Sequence, residues 1–244
     1  MSKKYPNSPI VEAICEFRLT SDTKWDLTIS GLVYEKVKKN FPKRKQRLIQ
    51  RVDTTQNAEG RKHHLSTEER IVFLTDDGKS FIQIGSYLLA INCLKPYPTW
   101  KSFKSKIERA FNTLANIVDI KGLQRIGLRY INLIEIPRST VGLGDYFQLR
   151  PFVGGRLPQV MENFIVGCMF PSSDEQDVCR VQLTNATSEK PGRSAFLLDL
   201  DYFLSKPQAV GADKALEWVE TAHQQVETIF EGCLSEKLRK IFRR

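Results

Sequence analysis

Phe81-Ile-Gln-Ile-Gly85, Tyr87-Leu-Leu-Ala-Ile-Asn-Cys93, the stretch Thr99 to Asp119, and Leu123-Gln-Arg-Ile-Gly-Leu-Arg-Tyr-Ile-Asn-Leu-Ile-Glu-Ile136 read as strand, strand, long helix, strand. Pro96 and Pro98 end the second strand, because proline fixes φ and carries no N–H. Thr99 follows where a hydroxyl can accept from the free N–H groups of a first helical turn. Trp100, Phe103, Ile107, Phe111, Leu114 and Val118 then recur every three or four residues and draw one apolar stripe. Lys101, Lys104, Lys106 and Arg109 fall largely off that stripe, toward water or a polyanion. Gly122 is expected to take the left-handed conformation that stops a helix. In the last strand, period two puts Ile126, Leu128, Tyr130, Asn132, Ile134 and Ile136 on one face. Arg125, Gly127, Arg129, Ile131, Leu133 and Glu135 share the other.

Working outward, Ile10–Leu19 alternates as a strand, with Val11, Ala13, Cys15, Phe17 and Leu19 on one face and Glu12, Ile14, Glu16 and Arg18 on the other. Trp25, Ile29, Leu32, Val33, Val37 and Phe41 mark an amphipathic helix stopped by Pro42. Gln46 to Asp53 reads as a strand, and Asp53 to Glu68, polar and aperiodic, as an exposed loop carrying His63 and His64. Asp76-Asp77-Gly78 between two apolar runs signals a hairpin. Residues 138–160 are rich in glycine and proline and read as a join. Strands follow at 164–170, 178–186 and 195–204, then one helix from Gly211 to Phe242. Strands in runs followed by helices argue an α+β fold of mostly antiparallel sheets packed with long helices. Residues 1–137 and 161–244 are expected to be two similar tandem halves, each ending near a helix with a tryptophan close to its start, Trp100 or Trp218.

The 244 residues suffice for a sizeable core, and 41% hydrophobic with 27% charged residues is ordinary for a globular chain. No apolar run approaches the ~20 residues of a membrane helix, and the N-terminus lacks the apolar core of a signal peptide. Cys15, Cys93, Cys168, Cys179 and Cys233 are scattered, without zinc-ligand spacing. They read as free, mostly buried thiols of a reducing cytoplasm. No cofactor and no membrane partner are expected.

Tyr5-Pro-Asn-Ser-Pro-Ile-Val-Glu-Ala-Ile-Cys-Glu-Phe-Arg-Leu19, Pro96-Tyr-Pro-Thr-Trp100, Arg125 to Asn132, Leu197-Leu-Asp-Leu-Asp201 and Ala222 through Phe242 resemble a sporadically distributed family of bacterial proteins over nearly the whole chain. No activity is established for that family. Its patchy occurrence implies an accessory protein carried with mobile or defence-associated genes.

Catalytic machinery is not legible: there is no Gly-x-Ser-x-Gly and no phosphate-binding glycine loop, and Gly142-Leu-Gly-Asp145 opens no helix. His63, His64 and His223 have no cysteine or carboxylate set at metal-ligand spacing. Asp199 and Asp201 share one strand face and, with Glu12 and Glu16, could make a nuclease-like metal cluster. Alternating carboxylates are more often the wet face of a strand. Glu12 and Glu16 on one strand and Arg125 and Arg129 on another are spaced to meet as charge pairs across a ladder. Tyr130 and Asn132, on an apolar face, must be satisfied internally or line a cavity.

The net charge of +9 concentrates in Lys36, Lys38, Lys39, Lys43, Arg44, Lys45, Arg47 and Arg51. Gathered on one surface, these would bind nucleic acid in a salt-dependent, sequence-independent way. Phe41 is the single aromatic among them, which gives base stacking little support. The expected function is therefore a non-enzymatic binding or accessory protein whose partner is nucleic acid or another protein. The alternatives are nucleic-acid binding through residues 36–51 and a metal-dependent nuclease on Asp199 and Asp201.

Overall fold

The alternation of Ile10–Leu19 and Leu123–Ile136 places these two segments side by side as β1 and β6, the centre of one antiparallel sheet. The computed structural model describes residues 5–57, 60–158, 161 and 163–243, and over 50–57 and 60–66 the backbone alone. In chain order, β1 (Ile10–Leu19) is followed by α1 (Thr28–Val37), β2 (Lys43–Asn57), β3 (Gly60–Leu74), β4 (Ser80–Gly85), β5 (Leu88–Leu94) and α2 (Trp100–Ala115). Then come β6 (Leu123–Ile136), β7 (Ile165–Pro171), β8 (Asp177–Ala186), β9 (Ser194–Leu204), α3 (Ala215–Cys233) and α4 (Glu236–Phe242).

The nine strands lie in the order β2-β3-β4-β5-β1-β6-β9-β8-β7. From β1 the chain travels to one edge and returns by hairpins to end at β5 beside β1. From β6 it travels to the other edge and returns to β9 beside β6. A helix, α2 or α3, follows each return. Tight turns make these antiparallel steps possible, as at Asp76–Gly78, where Gly78 has φ +66° and Thr75 N donates to Ser80 O at 3.0 Å.

The helices cover one face of the sheet. Phe17, Ile82, Ile91, Leu128 and Leu200 from the strands meet Phe103, Ile107 and Phe111 of α2 and Trp218, Val219 and Val226 of α3 in one core. Each fully buried side chain of this size contributes about 1.5–3 kcal/mol. Thr99 caps α2 through Oγ1, which accepts from Ser102 N at 3.2 Å. The other face carries the polar strand positions, and some of its apolar members, such as Val72, Phe81, Leu88 and Ala90, are nevertheless buried.

Three expectations need correction. Asp53 to Glu68 is not a loop: β2 and β3 continue through it, paired from Lys43↔Leu74 to Asn57↔Gly60. Beyond Arg70 toward the hairpin tip β3 pairs with β2 alone, and the polar sequence there lacks the apolar–polar alternation by which a strand is read. The single helix expected over 211–242 is two. Leu234 is extended and bridges to Phe147, and Ser235 starts α4 by accepting from Leu238 N at 3.2 Å. Burying Leu234 against the join outweighs continuing the helix. Finally, α2 ends at Ala115, and Gly122 is not left-handed. Its lack of a Cβ serves a close approach instead, since a Cβ there would lie 3.1 Å from the Thr20 side chain.

Candidate functional site

On β6, Tyr130 and Asn132 point into the helix-covered face, where unsatisfied polar groups are costly. Asn132 Nδ2 donates to Leu198 O at 3.1 Å. The Tyr130 hydroxyl lies 3.1 Å from His223 Nδ1 on α3 and 3.4 Å from the Tyr97 hydroxyl ahead of α2. The His223 ring stacks on Trp100, with centroids 3.9 Å apart and planes 14° from parallel. Trp100 Nε1 donates to Glu220 Oε2 at 3.1 Å, and Lys104 Nζ meets the same oxygen at 2.8 Å. His223 is only 6% exposed. Burial lowers its pKa below the ordinary 6.5, against the pull of Glu227 and Glu220, so the imidazole is neutral at pH 7. Burial raises the pKa of Tyr97 and Tyr130, which keeps both phenols protonated. His223 Nε2 has no hydrogen-bond partner among the described residues; Glu227 Oε1 lies 3.5 Å away.

These groups line a chamber of about 810 Å³, within the range of small-molecule sites. Tyr130, Asn132 and Leu200 form its floor, Tyr97 and Trp100 one wall, and His223, Val226 and Phe230 another. The N-terminal segment Tyr5–Pro9 straps across it. That strap is tied at both ends. Tyr5 donates from its hydroxyl to Glu231 Oε1 at 2.6 Å and packs edge-on against Phe242. Asn7 N donates to Phe242 O at 3.1 Å, and Leu133 N to Pro9 O at 2.9 Å. Burial and Glu231 push the Tyr5 pKa up to about 12, so the tie stays protonated throughout the neutral range. The sequence offered one sign of this chamber, the polar pair Tyr130 and Asn132 on an apolar face. The stacking of Trp100 on His223 joins two helices 123 positions apart in the chain (223 − 100), and no local pattern announces it.

On the opposite face, arginines and carboxylates interlock across strands. Arg129 grips Asp199 through two bonds of 2.8 and 2.6 Å. Arg125 Nη2 holds both oxygens of Asp201 at 2.9 and 3.0 Å while its Nη1 reaches Glu16 at 3.2 Å. Arg18 also pairs with Glu16, at 2.8 Å, and Arg180 with Asp201, at 3.3 Å. Burial raises the Glu16 pKa, but Arg18 and Arg125 outweigh it and the net shift is downward. Glu12 lies apart from this set and accepts from Asn92 Nδ2 at 2.7 Å. Thus Glu16 and Arg125 meet, whereas Arg129 turns to Asp199 rather than Glu12. Asp199 and Asp201 are both committed to guanidinium groups, and no group of three or more metal-binding side chains converges among the described residues. His63 and His64 have side chains outside the described set.

The basic run does not form one surface. Lys36, Lys38 and Lys39 are exposed at the end of α1, where Lys38 pairs with Glu35 at 2.6 Å. Along β2 the period of two then divides the rest. Lys43, Lys45 and Arg47 align with Leu74, Val72 and Arg70 on the helix-free face. Arg44 aligns with Phe73 on the helix side and lies 5.3 Å over the Tyr34 ring. The Arg51 side chain is outside the described set. On α2, Lys104 is turned to Glu220, while Lys101, Lys106 and Arg109 line a second groove of about 490 Å³. All five cysteines are free; four are buried and Cys168 is half-buried. No family model, curated protein or solved structure matches this chain.

Proposed function

We propose that this is a non-enzymatic binding protein that encloses a small, largely apolar molecule bearing a hydrogen-bond acceptor in the chamber beneath the Tyr5–Pro9 strap. The observation that carries this reading is the His223 imidazole, buried in an aromatic-lined chamber with Nε2 unpartnered among the described residues. Buried polar atoms are nearly always satisfied. With Tyr130 donating to Nδ1, the ring carries its proton on Nε2, ready for a ligand oxygen. Trp100, Tyr97 and Phe230 supply flat apolar walls. The accessory role suggested by the sequence agrees with such a carrier or sensor. We also read the two courses of the sheet as tandem copies, since each leaves a central strand, returns beside it and continues into a helix.

The test uses prodan, a neutral naphthalene carrying a ketone, whose emission shifts on entering an apolar site. Titration should give one saturable site. Val226→Trp, which places an indole in the chamber, should abolish the shift while circular dichroism stays native. His223→Phe should weaken binding by about 2- to 13-fold, the value of one neutral hydrogen bond. Absence of saturable binding, or equal affinity for the Val226→Trp variant, would refute the reading.

A further inference from the structure

The second groove runs between α2, the α1–β2 link and the β3–β4 turn. Its lining contains Lys101, Lys106 and Arg109 and no carboxylate. Some cations elsewhere on the described surface are neutralised, Lys104 by Glu220, Lys38 by Glu35 and Lys121 by Asp119. Within the groove the partners are uncharged. Lys106 Nζ donates to Ser102 Oγ at 3.1 Å, and Arg109 donates to Asn40 Oδ1. Such acceptors orient a cation without cancelling its charge. Ser105 and Thr75 add hydroxyl groups, and the positive end of the α2 dipole opens at Thr99 on the same groove.

We infer that this groove is a docking track for the sugar-phosphate backbone of a nucleic acid. Length decides for a polymer over a single phosphate. Lys101 and Arg109 are eight residues apart on one helix, or about 12 Å along its axis, enough to follow successive phosphates. Lys36 and Lys39, exposed at the end of α1 next to Asn40, prolong the cationic surface beyond the groove. The one aromatic in the lining, Phe41, is buried in the core. Contact is therefore with the backbone, not by stacking on bases, and binding is independent of sequence. The site so placed differs from the 36–51 run: Lys45 and Arg47 lie on the helix-free face of the sheet, and Lys43 is tied to Asp76 O in the β3–β4 turn at the groove's border.

Fluorescence anisotropy of the full chain with a fluorescein-labelled oligothymidylate, beginning near about 50 mM salt, tests this. Wild-type protein should bind, with affinity falling steeply as salt rises. The pair Lys101→Glu, Lys106→Glu should bind at least tenfold more weakly and reduce the salt slope by about 2, one for each lost phosphate contact. The pair Lys45→Glu, Arg47→Glu should remain within twofold of wild type. No wild-type binding at low salt overturns the proposal, and so does an equal loss in the Lys45/Arg47 pair. Retention on phosphatidylserine vesicles under conditions that exclude the oligonucleotide would assign the groove to lipid headgroups and overturn it as well.

Discussion

Gly127→Ala should unfold the charge network of the helix-free face from a single methyl group. Gly127 lies on β6 directly below the Arg125 guanidinium, and a Cβ there would clash with Arg125 Nη1 and stand 2.8 Å from its Cζ. The backbone is no obstacle, because φ at Gly127 is not positive. The guanidinium must therefore swing away from Asp201 and Glu16, and from the Phe203 ring 4.9 Å below it. A hydrogen bond to a charged group contributes about 1.5–3 kcal/mol. The Arg125 side chain is 26% exposed, and Asp201 keeps Arg180 while Glu16 keeps Arg18. The loss is accordingly about 1–3 kcal/mol. Replacing glycine by alanine returns about 0.4–1 kcal/mol by restricting the unfolded chain, so the net destabilisation lies between about 0 and about 2.6 kcal/mol, centred on about 1.3 kcal/mol. Urea unfolding followed by circular dichroism measures it. The decisive comparison is the same substitution in an Arg125→Ala background, where the three atoms nearest the new Cβ are gone and Gly127→Ala should be neutral or stabilising. Equal costs in both backgrounds would sink the argument, since the coupling between the two sites would then be zero.

Two further outcomes follow from single groups. The folded-state pKa of His223 lies below its ordinary value of 6.5, so the unfolded chain takes up a proton at a higher pH than the folded one. Its contribution to stability is full above about pH 6.5 and declines as pH falls below that, until the buried ring protonates. Around the ring, Glu220 and Glu227 on α3, Lys104 on α2 and the Tyr130 phenol on β6 are the charged or titratable neighbours. His223→Phe should flatten the fall in urea midpoint between about pH 7.5 and 5 relative to wild type; an unchanged slope would show that other groups cause it. Thr99→Ala removes the acceptor of the Ser102 N–H and should cost about 0.5–2 kcal/mol in thermal or urea unfolding. Thr99→Ser should restore most of that, and a serine variant as weak as alanine would exclude capping as the cause.

Local features were legible wherever a single residue pattern has one physical solution. β1 and β6 begin and end where their alternation does, Thr99 caps α2, and Asp76-Asp77-Gly78 makes its turn. Each depends on neighbours within a few positions, through period, hydroxyl placement or glycine's freedom at positive φ. Tertiary structure decided the rest. Leu234 leaves the helical path because Phe147, 87 positions earlier (234 − 147), offers it a buried bridge. Register places Glu12 on β1 and Asp199 on β9 both opposite Ile131, and Arg129 turns to Asp199 while Glu12 accepts from Asn92 on β5, a partner 80 positions away (92 − 12) that no local pattern encodes. Lys43, Arg44, Lys45 and Arg47, continuous in the chain but for Gln46, are divided between two faces because strand side chains alternate. The chamber exists only where β6, α2, α3 and the N-terminal strap converge, four segments far apart in the chain whose contact no local periodicity encodes.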